Sequence, residues 1–169
     1  MKTDKERGIQ KMKINNTKVM CNRVWYTVPT LWLKSFRNQD KIKVLNSYLR
    51  YSKRPGRTPP NSNKWYMDFI EHFYYDKDFN NLYTKWKLAQ EEGESEEMLK
   101  LMRPSLDHIT PIADGGTWDI DNLQFMTFYE NYCKYTIRNW EVVKYDLIKS
   151  LFGKRTINNG WQNDHRSFT

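Results

Sequence analysis

Cysteine is scarce in this chain: Cys21 and Cys133 are the only two among 169 residues. They lie far apart and match no zinc-ligand spacing. That excludes a disulfide-built scaffold and predicts two reduced thiols, at least one of them buried. No apolar run is long enough to span a bilayer, and the opening MKTDKERGIQKMK has no apolar stretch of signal-peptide type, so the expected location is the cytoplasm with no membrane partner. Histidine occurs three times. His72 falls in an aromatic helical stretch and reads as structural, His165 falls in the polar tail NNGWQNDHRSFT, and His108 alone sits within a motif. No internal repeat and no low-complexity tract is present.

Aromatics and positive charge are plentiful. Phe, Trp and Tyr make up 15% of the residues, enough apolar surface for one compact core or for a small catalytic unit with a binding extension. The net charge of +8 is unevenly spread. Residues 1–60 hold fifteen Lys/Arg against three Asp/Glu, residues 61–106 six against nine, and residues 107–169 seven against eight. All the surplus positive charge therefore lies in the first third. A basic segment joined to a near-neutral remainder suits an arm that grips a polyanion and feeds a separate site. The competing reading is a solvated basic terminus.

Residues 1–19 are polar, carry no periodic apolar pattern and read as a leader. Apolar residues return from Trp25 to Phe36, where Pro29 argues against one unbroken helix. Residues 40–53 place Ile42, Leu45, Tyr48 and Leu49 at helical spacing. The segment KRPGRTPPNSN (53–63) is the clearest linker, and its basic Lys53, Arg54 and Arg57 are the residues expected to follow the backbone of a polyanion. Two helices follow, over 64–75 with Trp65, Phe69 and Phe73 on one face, and over 79–89 with Phe79, Leu82, Tyr83 and Trp86. Ser95 can cap a further helix that runs to Met102 and stops before Pro104. A last helix, capped by Asn139 and stopped by Gly153, is expected over NWEVVKYDLIKSLFG.

The densest information lies in LDHITPIADGGTWDIDNLQFMTFYEN, residues 106–131. Leu106, Ile109 and Ile112 suggest an extended segment carrying Asp107-His108, Gly115-Gly116 makes a turn, Asn122 opens a second strand through Thr127, and Phe128 begins a helix that carries Asn131 about one turn in. A carboxylate, an imidazole and carboxamides gathered in one hairpin can hold a hard divalent cation beside a general base. That is the minimum equipment for hydrolysing a phosphodiester.

This segment resembles the HNH nucleases, whose fold is a ββα-metal finger. The likeness is nearest to phage and intron-encoded homing endonucleases, where the closing element reads NLxWxTxxEN; here it is NLQFMTFYEN, and the match covers residues 103–134. The resemblance implies that Asp107 is the first metal ligand, His108 the general base, Asn122 the residue orienting the loop and the histidine, and Asn131 the second metal ligand. Many relatives have His at that last position. An amide oxygen is a hard ligand, so Asn131 points to one Mg²⁺ or Mn²⁺ and away from zinc. Lys134 stands where relatives carry a basic residue that contacts phosphate.

The expected protein is thus α+β, with an HNH finger over 103–138, a basic N-terminal extension over 1–60, a helical segment over 61–102, and a C-terminal helix and polar tail over 139–169. The expected function is metal-dependent cleavage of double-stranded DNA by a phage homing endonuclease, acting as a monomer with no small-molecule cofactor. Two alternatives stand beside it: a defence or packaging nuclease on the same finger, and a non-cleaving DNA-binding protein on an HNH scaffold.

Overall fold

Asn22 and Arg23 both adopt positive φ, 45° and 70°. Two consecutive left-handed residues make the tight turn whose twist matches that of paired antiparallel strands. They close a hairpin of β1 (Asn16–Cys21) and β2 (Val24–Pro29), in which Cys21 pairs with Val24 and Asn16 with Pro29. The computed structural model describes residues 15–136. The leader expected over 1–19 is therefore corrected at its end, because a strand begins at Asn16. Thr17, Val19 and Cys21 do alternate toward the core, but a two-residue period over six positions is visible only once its partner strand is known.

The described residues form a mixed α+β protein with six α-helices and two small antiparallel sheets. They divide into two compact units. One comprises residues up to Asp76 together with Thr110–Asn122, the other Lys77–Ile109 together with residues from Leu123 onward.

The first unit holds the β1–β2 hairpin, α1 (Thr30–Lys34), α2 (Gln39–Asn46) and α3 (Asn63–Tyr74). Asn38 caps α2 through Lys41 N, and Ser62 caps α3 through Trp65 N. The helix expected over 40–53 ends early, at Asn46: Ser47, Tyr48 and Leu49 close 3₁₀-type bonds onto the preceding turn, which buries Leu49 without continuing the helix. Tyr26 of β2 stacks on Tyr66 of α3 at 4.5 Å between ring centres, and each hydroxyl finds an acceptor, Pro60 O at 3.0 Å and Asn46 Oδ1 at 2.6 Å. Burial raises both phenol pKa values and pushes the Cys21 thiol up to about 12.

The second unit holds α4 (Lys77–Glu91), α5 (Glu96–Met102), β3 (Pro104–His108), β4 (Leu123–Thr127) and α6 (Phe128–Thr136). Ser95 caps α5 through Met98 N, as its sequence position suggests. The core here includes Phe79 and Tyr83 of α4, Leu123 and Phe125 of β4, and Cys133 of α6, with Phe79 and Phe125 4.7 Å apart. Both cysteines are buried, and neither is in a disulfide among the described residues. No helix among the described residues is long and apolar enough to cross a membrane. The helix expected after Asn139 lies outside the described residues.

Candidate functional site

The strand β3 breaks the rule that its sequence pattern suggests. Leu106 is only half-buried, while Asp107 is 0% and His108 7% exposed. A carboxylate taken out of water costs several kcal/mol unless charge and hydrogen bonds compensate it. Two residues do so here. Lys134 Nζ donates to Asp107 Oδ2 at 2.6 Å, and Gln124 Nε2 donates to the same oxygen at 2.8 Å. The antiparallel register explains the second contact, because Asp107 pairs with Gln124 and His108 with Leu123.

The helix α6 supplies the rest. Asn131 and Lys134, three residues apart, share the helix face turned to β3. Asn131 is 9% exposed, and its amide nitrogen donates to Ser105 Oγ at 2.9 Å and to Leu106 O at 3.2 Å. A backbone carbonyl requires a donor, so these contacts fix the orientation of the carboxamide. Its Oδ1 is thereby buried with no hydrogen-bond partner among the described residues. An orphaned buried acceptor costs about 1–3 kcal/mol. Lys134 Nζ also reaches His108 O at 3.3 Å, so the lysine binds the backbone of the histidine as well as the aspartate.

Asn122 serves the loop that joins the two strands. Its Oδ1 accepts from Thr110 N at 2.8 Å, and its Nδ2 donates to Thr110 O at 3.1 Å and Thr117 O at 2.8 Å. Three bonds from one side chain staple residues 110–117 into a closed turn. Gly115 (φ 88°) supplies the left-handed step, and a Cβ on Gly116 would collide with the Thr110 carbonyl. Close contact thus requires glycine at 116, and the left-handed backbone favours it at 115.

The same unit pins the proline-rich segment. Trp118 Nε1 donates to Gly56 O at 2.8 Å, and Trp65 Nε1 donates to Trp118 O at 2.7 Å. Lys53 and Arg54 are exposed and Arg57 half-buried, in a turn closed by Arg57 N to Arg54 O. The basic linker is therefore an anchored loop.

Asp107, His108, Asn131 and Lys134 come together on β3 and α6. Asn122 organises the intervening loop, and Lys53, Arg54 and Arg57 present charge from a separate turn. Sequence reasoning missed Gln124 and Ser105. Gln124 is detectable in principle, since the hairpin register sets it opposite Asp107. Ser105 carries no local signal. No family model matches this chain, and no curated protein or solved structure matches it significantly.

Among the described residues, no group of three or more His, Cys, Asp or Glu is placed to hold a metal. A zinc centre built from such side chains is not what this arrangement offers. Two hard oxygen donors, the Asp107 carboxylate and the orphaned Asn131 Oδ1, fit in kind a cation such as Mg²⁺ that keeps most of its ligands as water.

Proposed function

We propose that this chain is a metal-dependent endonuclease of the HNH type that hydrolyses phosphodiester bonds in double-stranded DNA, as homing endonucleases of phages do. The strands β3 and β4, their connecting loop and α6 would form its ββα finger. The observation that carries the reading is a fully buried Asp107 on β3 together with an Asn131 on the helix packed against that strand, whose buried Oδ1 has no hydrogen-bond partner among the described residues. Packing alone gives no reason to bury two polar groups at the end of β3 and a third on the helix against it, whereas a cation site beside a base does.

In this reading Asp107 and Asn131 hold one Mg²⁺ or Mn²⁺. The chemistry such an ion supplies is neutralisation of charge on the scissile phosphate and stabilisation of the leaving 3′-oxygen. His108 takes a proton from the attacking water, a task suited to an imidazole ring nitrogen. Asn122 keeps the loop that follows His108 closed. The basic turn of Lys53, Arg54 and Arg57 and the positive surplus of residues 1–60 hold the DNA backbone without reading its sequence.

One observation favours a second reading. Lys134 already neutralises Asp107, as it would in a DNA-binding protein whose finger has become a non-cleaving scaffold. Incubating the purified chain with supercoiled plasmid, with and without Mg²⁺, separates the two. Metal-dependent nicked or linear product supports the nuclease. Intact supercoiled plasmid with both Mg²⁺ and Mn²⁺, together with retained DNA binding, supports the scaffold.

A further inference from the structure

Lys134 satisfies an electrostatic need that a metal would otherwise meet. Asp107 is 0% exposed, and the Lys134 ammonium sets a full positive charge against its Oδ2 at 2.6 Å. The lysine side chain is itself 19% exposed, on a flexible four-carbon stem that can withdraw without disturbing α6. One helical turn earlier, Asn131 offers its buried oxygen with no donor attached among the described residues. An ammonium in contact with one carboxylate oxygen and a divalent cation on the same group repel each other in a poorly screened setting.

We propose that Lys134 is a built-in counter-ion that competes with the divalent metal at Asp107: it keeps the buried carboxylate compensated in the metal-free chain and must leave Oδ2 for the metal to bind. The inference rests on the reading of Asp107 and Asn131 as metal ligands. It assigns Lys134 a role in setting metal affinity, in addition to any contact with phosphate. The chain then tolerates metal loss without leaving a naked buried charge, and its metal affinity is lower than the two oxygen donors alone would give.

The test is Mn²⁺ binding to the full chain, read as free Mn²⁺ by electron paramagnetic resonance. Wild type is compared with Lys134→Gln, which keeps a donor and loses the charge, with Lys134→Arg, which keeps the charge, and with Asp107→Asn. Removing a charge at contact distance should tighten Mn²⁺ binding by roughly tenfold or more in Lys134→Gln. Lys134→Arg should show no tightening, and Asp107→Asn should abolish binding. Unchanged or weaker binding in Lys134→Gln, with no binding in Asp107→Asn, overturns the competition and leaves the metal reading standing. Wild-type binding in Asp107→Asn overturns both. A measurement on the wild-type chain covers the case in which Lys134→Gln does not fold: acetylation of Lys134, followed by mass spectrometry, should speed up when Mn²⁺ is added. Unchanged or slower labelling overturns the proposal.

Discussion

The β1–β2 hairpin closes in two residues and turns Val19, Cys21, Val24, Tyr26 and Val28 inward. The β3–β4 hairpin is joined by the long loop 109–122 and buries Asp107 and His108. Both are short antiparallel pairs that bury apolar side chains, yet the second also buries what the hydrophobic effect opposes. The first hairpin explains itself by stability. In the second, each buried polar group needs a partner, and Asn131 Oδ1 has none among the described residues. Under the proposed function, chemistry as well as packing selects the residues of β3, β4 and α6.

The largest expected effects dissociate the two hairpins. Under the proposed function, His108→Ala should slow plasmid cleavage by roughly 10²–10⁴-fold with DNA affinity nearly unchanged. Tyr26→Ala should instead lower stability by about 3–5 kcal/mol, as truncation of a fully buried aromatic does. Cleavage timed on bound plasmid and denaturant melts read the two. Wild-type turnover in the His108 variant would remove the base from its assigned role and erase the contrast.

The connecting loop sharpens the comparison. Asn122→Ala removes three hydrogen bonds that hold residues 110–117, at a cost of about 1–3 kcal/mol because water can replace part of them. Amide hydrogen exchange should rise at Thr110 far more than in β1–β2. Equal protection at Thr110 in variant and wild type would show that the backbone alone closes this loop.

Grip should prove separable from chemistry. Neutralising Lys53, Arg54 and Arg57 together should weaken binding to all DNA sequences. The salt dependence should flatten by about 0.9 log units for each phosphate that no longer meets a cation. Cleavage of DNA already bound should survive. Parallel plots of affinity against salt concentration for the variant and wild type would leave this turn no part in DNA binding.

The smallest effect tests the tight hairpin. Arg23 holds φ at 70°, a region that suits glycine better than arginine. Arg23→Gly should therefore stabilise the chain by about 0.5–1 kcal/mol in thermal melts. A loss of stability would mean that the Arg23 side chain contributes more than its backbone strain costs.

Much of the architecture is legible in the amino-acid order. The faces of α3 and α4, the Ser95 cap, the stop before Pro104 and the strand–loop–strand–helix order over 104–136 all follow from spacing and capping. β1 escapes such reading because its alternation is short and its exposed positions, Lys18 and Met20, carry no turn signal. α2 is shorter than its periodicity implies because Tyr48 and Leu49 keep helical spacing while their backbone has already tightened into single turns. The proline-rich stretch has the composition of a linker because Pro and Gly indicate a lack of regular structure but do not indicate anchoring, which here comes from Trp118 sixty-two residues away.

What the amino-acid order determined by itself is local: helix faces, caps, the glycine turn at 115–116, and the concentration of positive charge ahead of residue 61. Those features depend on neighbours a few positions apart, where backbone geometry and periodicity act directly. Only the tertiary structure decided that Asp107 is wholly buried, that Gln124 and Lys134 share one of its oxygens, and that Asn131 turns its amide to Ser105 and Leu106. Asp107 and Lys134 lie 27 residues apart, so their contact depends on how the helix packs on the hairpin. In the sequence Lys134 reads as a cation for phosphate. Folding sets it against the buried carboxylate, because a charge removed from water takes the nearest opposite charge that the packing allows.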